Sequence, residues 1–512
     1  MQHTNIKRRS IYYLLPIFSA MLLAGPFLFP ILFPVSWVSL IPLLWLVQRV
    51  SVRQAFLFGL LAGGVMNLLG FYWLNYTIRV FGGFPHGLSE SIWLGFAAYG
   101  ALPVALFSLL VRFYGLGPLA LFPALFWVTI EFWFPLLFPW HLANSQSYFL
   151  PLIQSADLIG PYGTSFVLVW VNTVLYQIVE GTFVPNGRKR IPMPETAVVG
   201  ALLVVLLAYG HFRLSAVSKE MDAAPTITVA AVQGNIKIRT KGNITYLESN
   251  LASYKDLTSK VQGAQLVIWP ESAVESWVPE NLKQLPPELA LPLPSGVSFL
   301  IFGVRSLLKD SATAKTKVFN SAFLVDREGH VVSRYHKQVL LAFGEYIPLT
   351  SLLSLLPGMP PIGEGFSRGD GPRTLDLSPT IRLAPLICYE DLMPWLSRRF
   401  VAASHANLLV NLTNDGWFGN TVAPWQHARL AQWRAIETRR SLVRATNTGV
   451  TTVINPRGEI LETLPVFSTG VLNAKVPLMS GKTFYVRFGD WFTWIVTAAS
   501  LSIVMIHRFV HH

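Results

Sequence analysis

Long apolar segments dominate the first 214 residues of the chain, and one more lies near its end. Each is long enough to cross the ~30 Å hydrocarbon core of a bilayer as a helix. The predicted spans are 10–28, 30–48, 55–76, 89–111, 117–135, 162–180, 195–214 and 488–507. The pattern predicts a polytopic α-helical membrane domain over 1–214, with about seven transmembrane helices. Residues 488–512 are predicted to form a C-terminal transmembrane helix and a short cytoplasmic tail.

The region 215–487 has a different period, because short β-branched runs alternate there with helical patterns. Helices are expected near 244–261, 392–403 and 424–439. A hairpin is predicted in FNSAFLVDREGHVVSRYHK, with its turn at Arg327-Glu328-Gly329. The other predicted strands are TITVAAVQGN, QLVIWPES, SFLIFGVRS, TIRLAPLICYE, NLLVNLTND, SLVRATNTG, VTTVINP and EILETLP. Apolar strands spaced by helices indicate a buried α/β sheet, either one large core or a layered sandwich.

Composition supports a membrane protein and argues against a nucleic-acid partner. Only 13% of residues are charged, against roughly 25% in soluble proteins, and the mean hydropathy is +0.45. The net charge is +13, but the basic residues do not form the stripe typical of nucleic-acid binding. They form short clusters beside apolar runs: Lys7-Arg8-Arg9, Arg49 with Arg53, Arg112, and Arg188-Lys189-Arg190.

These clusters predict the orientation of the chain in the membrane. If Lys7-Arg8-Arg9 is cytoplasmic, counting crossings also places 49–54, 112–116 and 181–194 inside, as the positive-inside rule requires. The region 215–487 then lies on the outer side. An alternative makes residues 1–25 a cleaved signal peptide, which would leave that location unchanged. The apolar pattern resumes at once after residue 25, which favours a retained helix.

Three predicted strands of the outer region end on reactive side chains, Glu271, Lys337 and Cys388. Sites in α/β sheets collect where strands end, so these residues are expected to converge. A thiol is a nucleophile, a carboxylate can take its proton, and an ammonium can stabilise an oxyanion. Cys388 is also the single cysteine, which excludes an internal disulfide framework and a Cys-rich metal site.

The motifs around these residues resemble the Glu-Lys-Cys triad of the nitrilase superfamily. They are IWPES, YHKQVLLAFGEYIP and ICYED, and with them stand VQGNI (232–236), FSRG (366–369), NDGWFG (414–419) and PWQH (424–427). With the membrane segments, nearly the whole chain is similar to the apolipoprotein N-acyltransferases of Gram-negative bacteria. The resemblance implies a multi-pass protein of the bacterial inner membrane, with an α/β nitrilase-like αββα sandwich domain in the periplasm.

The resemblance also implies the reaction. A fatty acyl chain would pass from a membrane phospholipid, through a thioester on Cys388, to the N-terminal amine of the diacylglyceryl-cysteine of an apolipoprotein. The enzyme would act as a monomer, with no metal and no organic cofactor. In an oxidising periplasm, a lone thiol has no disulfide partner within the chain. Lys337 nearby is expected to keep the thiol partly as thiolate.

The resemblance assigns supporting roles to Glu345, Tyr389 and Glu390. Glu345 would hold Lys337 or Glu271 in place, and the backbone N–H of Tyr389 would join the oxyanion hole. Each residue also has a plainer interpretation. Cys388 suits a buried apolar site, Glu271 could cap a helix beginning at Ser272, Lys337 could be a solvated lysine, and Glu390 could favour a helix N-terminus.

Several loops suggest contact with lipid. Leu352, Leu353, Leu355 and Leu356 would form an apolar lid, unless they pack on the core of their own domain. Residues 141–160 suggest an interfacial segment. Trp417 and Phe418 suit an acyl chain or ordinary turn packing, and His427 and Arg439 are interpreted as structural. One departure from the family lies in KIRTKGNITY, which lacks the tryptophan that lines the lipid pocket in typical relatives.

Two rival functions remain open on the sequence. A membrane-anchored amidase would resolve the thioester with water, but a soluble substrate would leave the apolar lid without purpose. A transporter or lipoprotein receptor with an inert domain would be expected to carry polar groups within its spans, and these spans carry few.

Overall fold

The computed structural model describes residues 2–183, 192–237, 240–241, 243–290, 293–309, 316–346 and 365–510, with side chains from residue 12 onward except at residue 183. They fall into two compact units, Met1–Ser215 with Phe488–His512, and Ala216–Arg487. The proposed lid leucines Leu352, Leu353, Leu355 and Leu356, the cluster Arg188-Lys189-Arg190 and the side chains of Lys7, Arg8 and Arg9 lie outside this description.

The helices are α1 (Gln2–Leu28), α2 (Ile41–Val47), α3 (Val52–Gly70), α4 (Trp73–Val80), α5 (Leu88–Tyr114), α6 (Phe122–Trp133), α7 (Leu150–Ile153), α8 (Ala156–Phe183), α9 (Met193–Ala223), α10 (Leu247–Ser259), α11 (Pro394–Ser404), α12 (Ala423–Thr438), α13 (Phe484–Phe488) and α14 (Trp491–Val510). The strands are β1 (Thr226–Gln233), β2 (Leu266–Ile268), β3 (Val274–Pro279), β4 (Phe299–Lys309), β5 (Thr316–Asp326), β6 (Val331–His336), β7 (Leu375–Ser378), β8 (Ile381–Ile387), β9 (Leu408–Thr413), β10 (Ser441–Thr446), β11 (Thr452–Ile454), β12 (Ile460–Thr463) and β13 (Gly470–Pro477).

The first unit is helical, and the prediction of an α-helical membrane domain is confirmed. Among the described residues, six helical segments are long and apolar enough to cross a membrane: Pro30–Val47, Val52–Gly70, Leu88–Tyr114, Ala156–Thr182, Met193–Ala223 and Trp491–Val510. Tyr12–Leu28 and Pro118–Trp133 are shorter apolar helices. The eight predicted spans fall on these eight segments. The number of crossings and their orientation stay predictions.

Two predicted spans differ from the structure in detail. The span 30–48 is not one α-helix but a 3₁₀ helix, Pro30–Trp37, followed by the short α2. Pro30, Pro34 and Pro42 lack the N–H that a continuous α-helix needs, which explains the break. The span 55–76 is divided between α3 and α4 at Phe71.

Close packing in this unit depends on small residues. A side-chain carbon added at Gly63 of α3 would lie 2.7 Å from the backbone of Ala101 in α5. Glycine at this position therefore lets the two helices approach closely, as at many membrane helix interfaces. Asn172 of α8 then ties the proline-rich break to the bundle, since its side chain accepts from Leu40 N at 2.8 Å and donates to Ser36 O.

The second unit contains two sheets. One has the order β13-β1-β2-β4-β5-β6, with β3 also paired to β4, and the other has the order β12-β11-β10-β9-β8-β7. Strands β1, β2 and β4 are parallel, as are β8, β9 and β10. Antiparallel strands extend each sheet outward from these parallel centres. Such buried parallel centres match the continuous apolar runs of the sequence.

Alternation along β1 explains how the layers stack. Ile227, Val229 and Ala231 pack in the core shared with the second sheet, whereas Ala230 and Val232 pack with α10. Helices α11 and α12 cover the second sheet through a set of buried apolar side chains, which includes Leu396, Phe400, Ala431 and Ala435. The layers therefore run helix, sheet, sheet, helix, and the predicted αββα sandwich is confirmed.

The predicted strands, helices and hairpin of this unit are all present, and Gly329 has the positive φ of +83° that the hairpin turn requires. Three strands were not predicted, namely β3, β7 and β13. Strand β3 shows only a partial alternation of buried residues, and β7 has four residues. Strand β13 is recognisable only from its pairing with β1, which is antiparallel over the full length of both strands.

Candidate active site

The three predicted site residues lie at strand ends, as expected. Glu271 follows β2, Lys337 directly follows β6, and Cys388 directly follows β8. Cys388 opens a 3₁₀ turn, Cys388–Leu392, which we call the nucleophile turn. Its φ is +54°, a left-handed conformation that costs energy for any residue with a side chain. Such strain is typical of functional positions.

Lys337 lies between two carboxylates and is 1% exposed. Its Nζ is 2.9 Å from Glu345 Oε1 and 3.8 Å from Glu271 Oε1. The side-chain amide of Asn320 donates to the same two oxygens, at 2.7 Å for Glu271 and 2.8 Å for Glu345. One ammonium and one amide thus hold both carboxylates in a buried cluster, where a charge must be paired to be tolerated.

Burial also determines the protonation of Cys388. It raises the pKa of the Cys388 thiol well above its usual range, and Glu271 raises it further, while Lys337 lowers it. The thiol is therefore protonated at rest, and the expectation that Lys337 keeps it partly as thiolate is wrong. Desolvation of a partly buried sulfur outweighs the attraction of one ammonium that is already shared between two carboxylates.

The neighbouring groups are shifted in ways that suit a proton transfer. Burial raises the pKa of Glu271, and Lys337 partly offsets this. Burial alone would lower the pKa of Lys337, but Glu345, Cys388 and Glu271 raise it overall, so the ammonium persists. A carboxylate with a raised pKa beside a protonated thiol and a fixed positive charge can act as a general base.

Glu345 and Tyr389 both lie close to Lys337. Besides its ion pair with Lys337, Glu345 accepts a hydrogen bond from Leu341 N at 2.9 Å, which fixes the loop that carries it. The Tyr389 ring centroid is 6.0 Å from Lys337 Nζ. The position of Glu345 therefore agrees with the role that the resemblance implies, which is to hold Lys337 in place.

Glu390 connects the two strand ends that carry Lys337 and Cys388. Its buried carboxylate accepts from the backbone N–H groups of Gln338 (2.7 Å), Val339 (3.0 Å) and Ile387 (2.8 Å), and from the Tyr335 hydroxyl at 2.9 Å. Burial raises the pKa of Glu390 to about 7, despite these donors. It does not merely favour the helix that follows, because its partners lie on β6, the segment after it and β8.

We expect Glu390→Gln to destabilise the protein and to slow the reaction. A glutamine amide nitrogen cannot accept from a backbone N–H, so at least one buried donor loses its partner, at a cost of about 1–3 kcal/mol. Thermal unfolding in detergent and acyl-transfer rates would measure both effects. Unchanged unfolding and rate would show that the carboxylate does not connect the strands.

Several groups at the site were not predicted. The Asn411 side chain donates to Cys388 O at 2.9 Å, and Asn320 holds the two carboxylates. Both are polar residues inside apolar strands. They are visible in the sequence, but the pattern that predicts the strands does not mark them as site residues. A buried polar group needs a partner, so such residues are candidates for a site.

The segment Asn414–Gly419 contains a second 3₁₀ turn, Asp415–Phe418, which we call the aromatic turn. Asp415 is fully buried, whereas Trp417 is 42% exposed. His427 of α12 is buried against this turn, in keeping with its structural interpretation. Arg439 is also buried and donates to Pro456 O at 3.0 Å.

The second unit has the fold of the carbon-nitrogen hydrolase class. Residues 228–483 match the model of the carbon-nitrogen hydrolase family, and residues 19–174 match that of the apolipoprotein N-acyltransferase N-terminal domain. Among solved structures, an amidase from Nesterenkonia sp. is 21% identical, with a TM-score of 0.36, over 51% of this chain and 92% of its own. Nit3 of Saccharomyces cerevisiae, a nitrilase-superfamily member, is 17% identical, with a TM-score of 0.37, over 52% of this chain and 94% of its own.

Full-length relatives are more specific. The apolipoprotein N-acyltransferase of Geobacter metallireducens is 34% identical over 98% of this chain and 96% of its own length. Those of Bdellovibrio bacteriovorus and Haemophilus influenzae are 33% and 30% identical, over 89% and 97% of this chain and 86% and 94% of theirs. The chain belongs to the apolipoprotein N-acyltransferase family, and the resemblance read from its motifs is confirmed. It is a multi-pass membrane protein.

Proposed function

We propose that the chain transfers a fatty acyl chain from a membrane phospholipid to the N-terminal amine of the diacylglyceryl-cysteine of an apolipoprotein, through a thioester on Cys388. Membership of an acyltransferase family supports the reaction class. The observation that carries the mechanism is that the buried ammonium of Lys337 lies between the carboxylates of Glu271 and Glu345. Glu271, Lys337 and Cys388 each follow the end of a strand. These groups supply a base, an oxyanion partner and a nucleophile.

In the first half-reaction, the Glu271 carboxylate takes the thiol proton as the sulfur attacks the ester carbonyl carbon. The oxyanion that forms is stabilised by the Lys337 ammonium and the Tyr389 backbone N–H. The carbon–oxygen ester bond then breaks, and Glu271 returns the proton to the departing oxygen. A lysophospholipid leaves, and the acyl group stays on Cys388.

In the second half-reaction, the acceptor amine attacks the thioester and gives a proton to Glu271. The same oxyanion site stabilises the second tetrahedral intermediate. The carbon–sulfur bond breaks, the thiolate recovers a proton from Glu271, and an amide is released. Every proton taken is returned, so the cycle requires neither a metal nor an organic cofactor.

We expect Lys337→Ala to lower the acylation rate by on the order of 10²-fold or more, the usual cost of removing one oxyanion donor. Because Lys337 is buried between Glu271 and Glu345, its loss also leaves two carboxylates without their cation. Removing one partner of a buried ion pair costs about 3–5 kcal/mol, so thermal stability should fall as well.

The single-turnover rate, measured on the folded fraction, separates these two effects. If that fraction reacted at the wild-type rate, Lys337 would be a structural residue and not part of the oxyanion site.

The proposed setting is the bacterial inner membrane, with the unit Ala216–Arg487 in the periplasm and the enzyme acting as a monomer. The apolar helices of the first unit support a site that meets its lipid donor at the membrane. Such a site can attack a phospholipid ester without extracting both acyl chains into water, which would expose a large apolar area.

The direct test uses purified protein in phospholipid vesicles with a diacylated lipopeptide. We expect acyl transfer to the lipopeptide, and no transfer when its amine is blocked by acetylation. Release of free fatty acid or ammonia without transfer would instead support the amidase. Binding without either product would support an inert receptor.

A further inference from the structure

Four buried ionisable side chains form a cluster at the nucleophile turn, namely Asp391, Asp415, His427 and Arg444. His427 Nε2 is 2.8 Å from Asp391 Oδ1, and His427 Nδ1 is 2.8 Å from Asp415 Oδ1. Arg444 of β10 forms an ion pair with Asp391, and its Nη2 is 3.7 Å from Asp415 Oδ2. Asp391, Asp415 and Arg444 are 0% exposed, and His427 is 6% exposed.

The two carboxylates belong to the two turns beside the site. Asp391 lies in the nucleophile turn, three residues after Cys388, and Asp415 opens the aromatic turn, two residues before Trp417. His427 contacts both, so one imidazole connects two segments that are separate in sequence. Helix α12, which carries His427, also contacts the nucleophile turn through Arg434 Nη1, which donates to Leu392 O at 2.7 Å.

The geometry requires a charged imidazole. A neutral histidine has a single N–H, so it can donate to one carboxylate but not to two. Two carboxylates, an imidazolium and a guanidinium balance their charges, which a site without access to water demands. Such a cluster costs desolvation energy and is weak evidence for stability alone, so a role in fixing one arrangement is the better explanation.

We propose that His427 is a positioning residue, which holds the nucleophile turn and the aromatic turn in the arrangement that acyl transfer requires. This inference rests on the proposed function. The charged groups that face His427 are Asp391 from the nucleophile turn, Asp415 from the aromatic turn and Arg444 from β10. Burial and Arg444 lower the pKa of His427, but the two carboxylates raise it to about 9 overall.

This shift fixes the pH range in which the connection exists. The folded pKa lies above the ordinary value of 6.5. The contribution of the charged His427 imidazole to the stability of the folded protein is therefore complete below the ordinary pKa, and it is lost as pH rises through about 9. At neutral pH the imidazolium still connects both turns.

The test compares wild type, His427→Gln, His427→Lys and the matched control His330→Gln. His330 pairs with Asp326 at 3.0 Å on an exposed hairpin, so its variant makes the same substitution away from the cluster. One readout is single-turnover acylation of Cys388 by phospholipid, in which the amplitude counts folded sites and the rate constant reports their geometry. The other is alkylation of Cys388 by iodoacetamide, which needs no lipid.

For His427→Gln we expect an unchanged amplitude and a rate constant lower by on the order of 10²-fold, the cost of a small misplacement of reacting groups. Alkylation should become faster, because a loosened turn exposes the thiol to water and relieves the burial that raises its pKa. Lysine keeps a positive charge with several donors, so His427→Lys should recover much of the rate. His330→Gln should match wild type in both readouts.

The outcomes separate the possible roles. A lower amplitude with an unchanged rate constant would mean that His427 only supports folding, and wild-type values in both readouts would also overturn the proposal. If His427→Gln does not fold, Asp415→Asn decides by the same measurements, since it breaks one of the two contacts. If wild type forms no thioester, the proposed function fails, and faster alkylation of the folded variant still tests the role of His427.

Discussion

Replacing Cys388 by serine is expected to abolish acyl transfer. The hydroxyl is a much weaker acid than the thiol, and Glu271 is too weak a base to ionise it, so the nucleophile is lost. Loss of the nucleophile from a group of residues that act together costs on the order of 10⁶-fold. Transfer from phospholipid to a diacylated lipopeptide measures the effect, and the product should fall to the background without enzyme.

The serine variant should fold normally. Serine differs from cysteine by one atom, and the left-handed φ of +54° at this position strains both residues alike. The Asn411 side chain would still donate to the backbone carbonyl of residue 388, because that contact does not involve the sulfur. A folded serine variant that acylates the lipopeptide at the wild-type rate would exclude Cys388 as the nucleophile.

We expect Glu271→Gln to lower the rate by about 10²–10⁴-fold, the usual contribution of a general base. Glutamine has nearly the same shape and can still accept from Asn320, but it cannot take a proton. The wild-type rate should rise with pH as Glu271 ionises, with a midpoint above the ordinary range of a glutamate because burial raises its pKa. The variant should lack this acidic limb.

The matched control for this change is Glu275→Gln. Glu275 is also buried, at 7% exposure, and lies on β3 within the same part of the first sheet. It accepts from Asn250 at 2.9 Å and has no assigned part in the reaction. Its variant should keep both the rate and the pH profile. Equal losses in the two variants would show that any buried carboxylate in this region matters only for folding.

The sequence predicted where the reactive residues lie because strand ends are local features. Glu271 and Cys388 each follow a buried apolar strand, and Lys337 follows the second strand of the predicted hairpin, so each lies where a strand ends and a loop begins. Sequence reasoning cannot measure how deeply a group is buried once two sheets stack. For this reason the prediction that Cys388 is partly thiolate was wrong, because the thiol is desolvated only when the two sheets pack together.

Contacts between residues distant in sequence were the other omission. Asn320 reaches Glu271 and Glu345 only because β5 pairs with both β4 and β6, a register that periodicity does not specify. His427 was interpreted as structural, and no local pattern indicates that it connects two turns. The span 30–48 is the converse case, because it was predicted as one segment although Pro30, Pro34 and Pro42 lie within it, and the structure divides it into a 3₁₀ helix and α2.

The central claim is that Cys388 carries the acyl group, and intact mass measures it most directly. Purified protein incubated with a phospholipid of one defined acyl chain, without acceptor, should gain the mass of one acyl group. The adduct should map to Cys388, be removed by neutral hydroxylamine, and disappear when a diacylated lipopeptide is added. An unmodified protein that still transfers acyl groups, or an adduct on another residue that the lipopeptide discharges, would contradict the account.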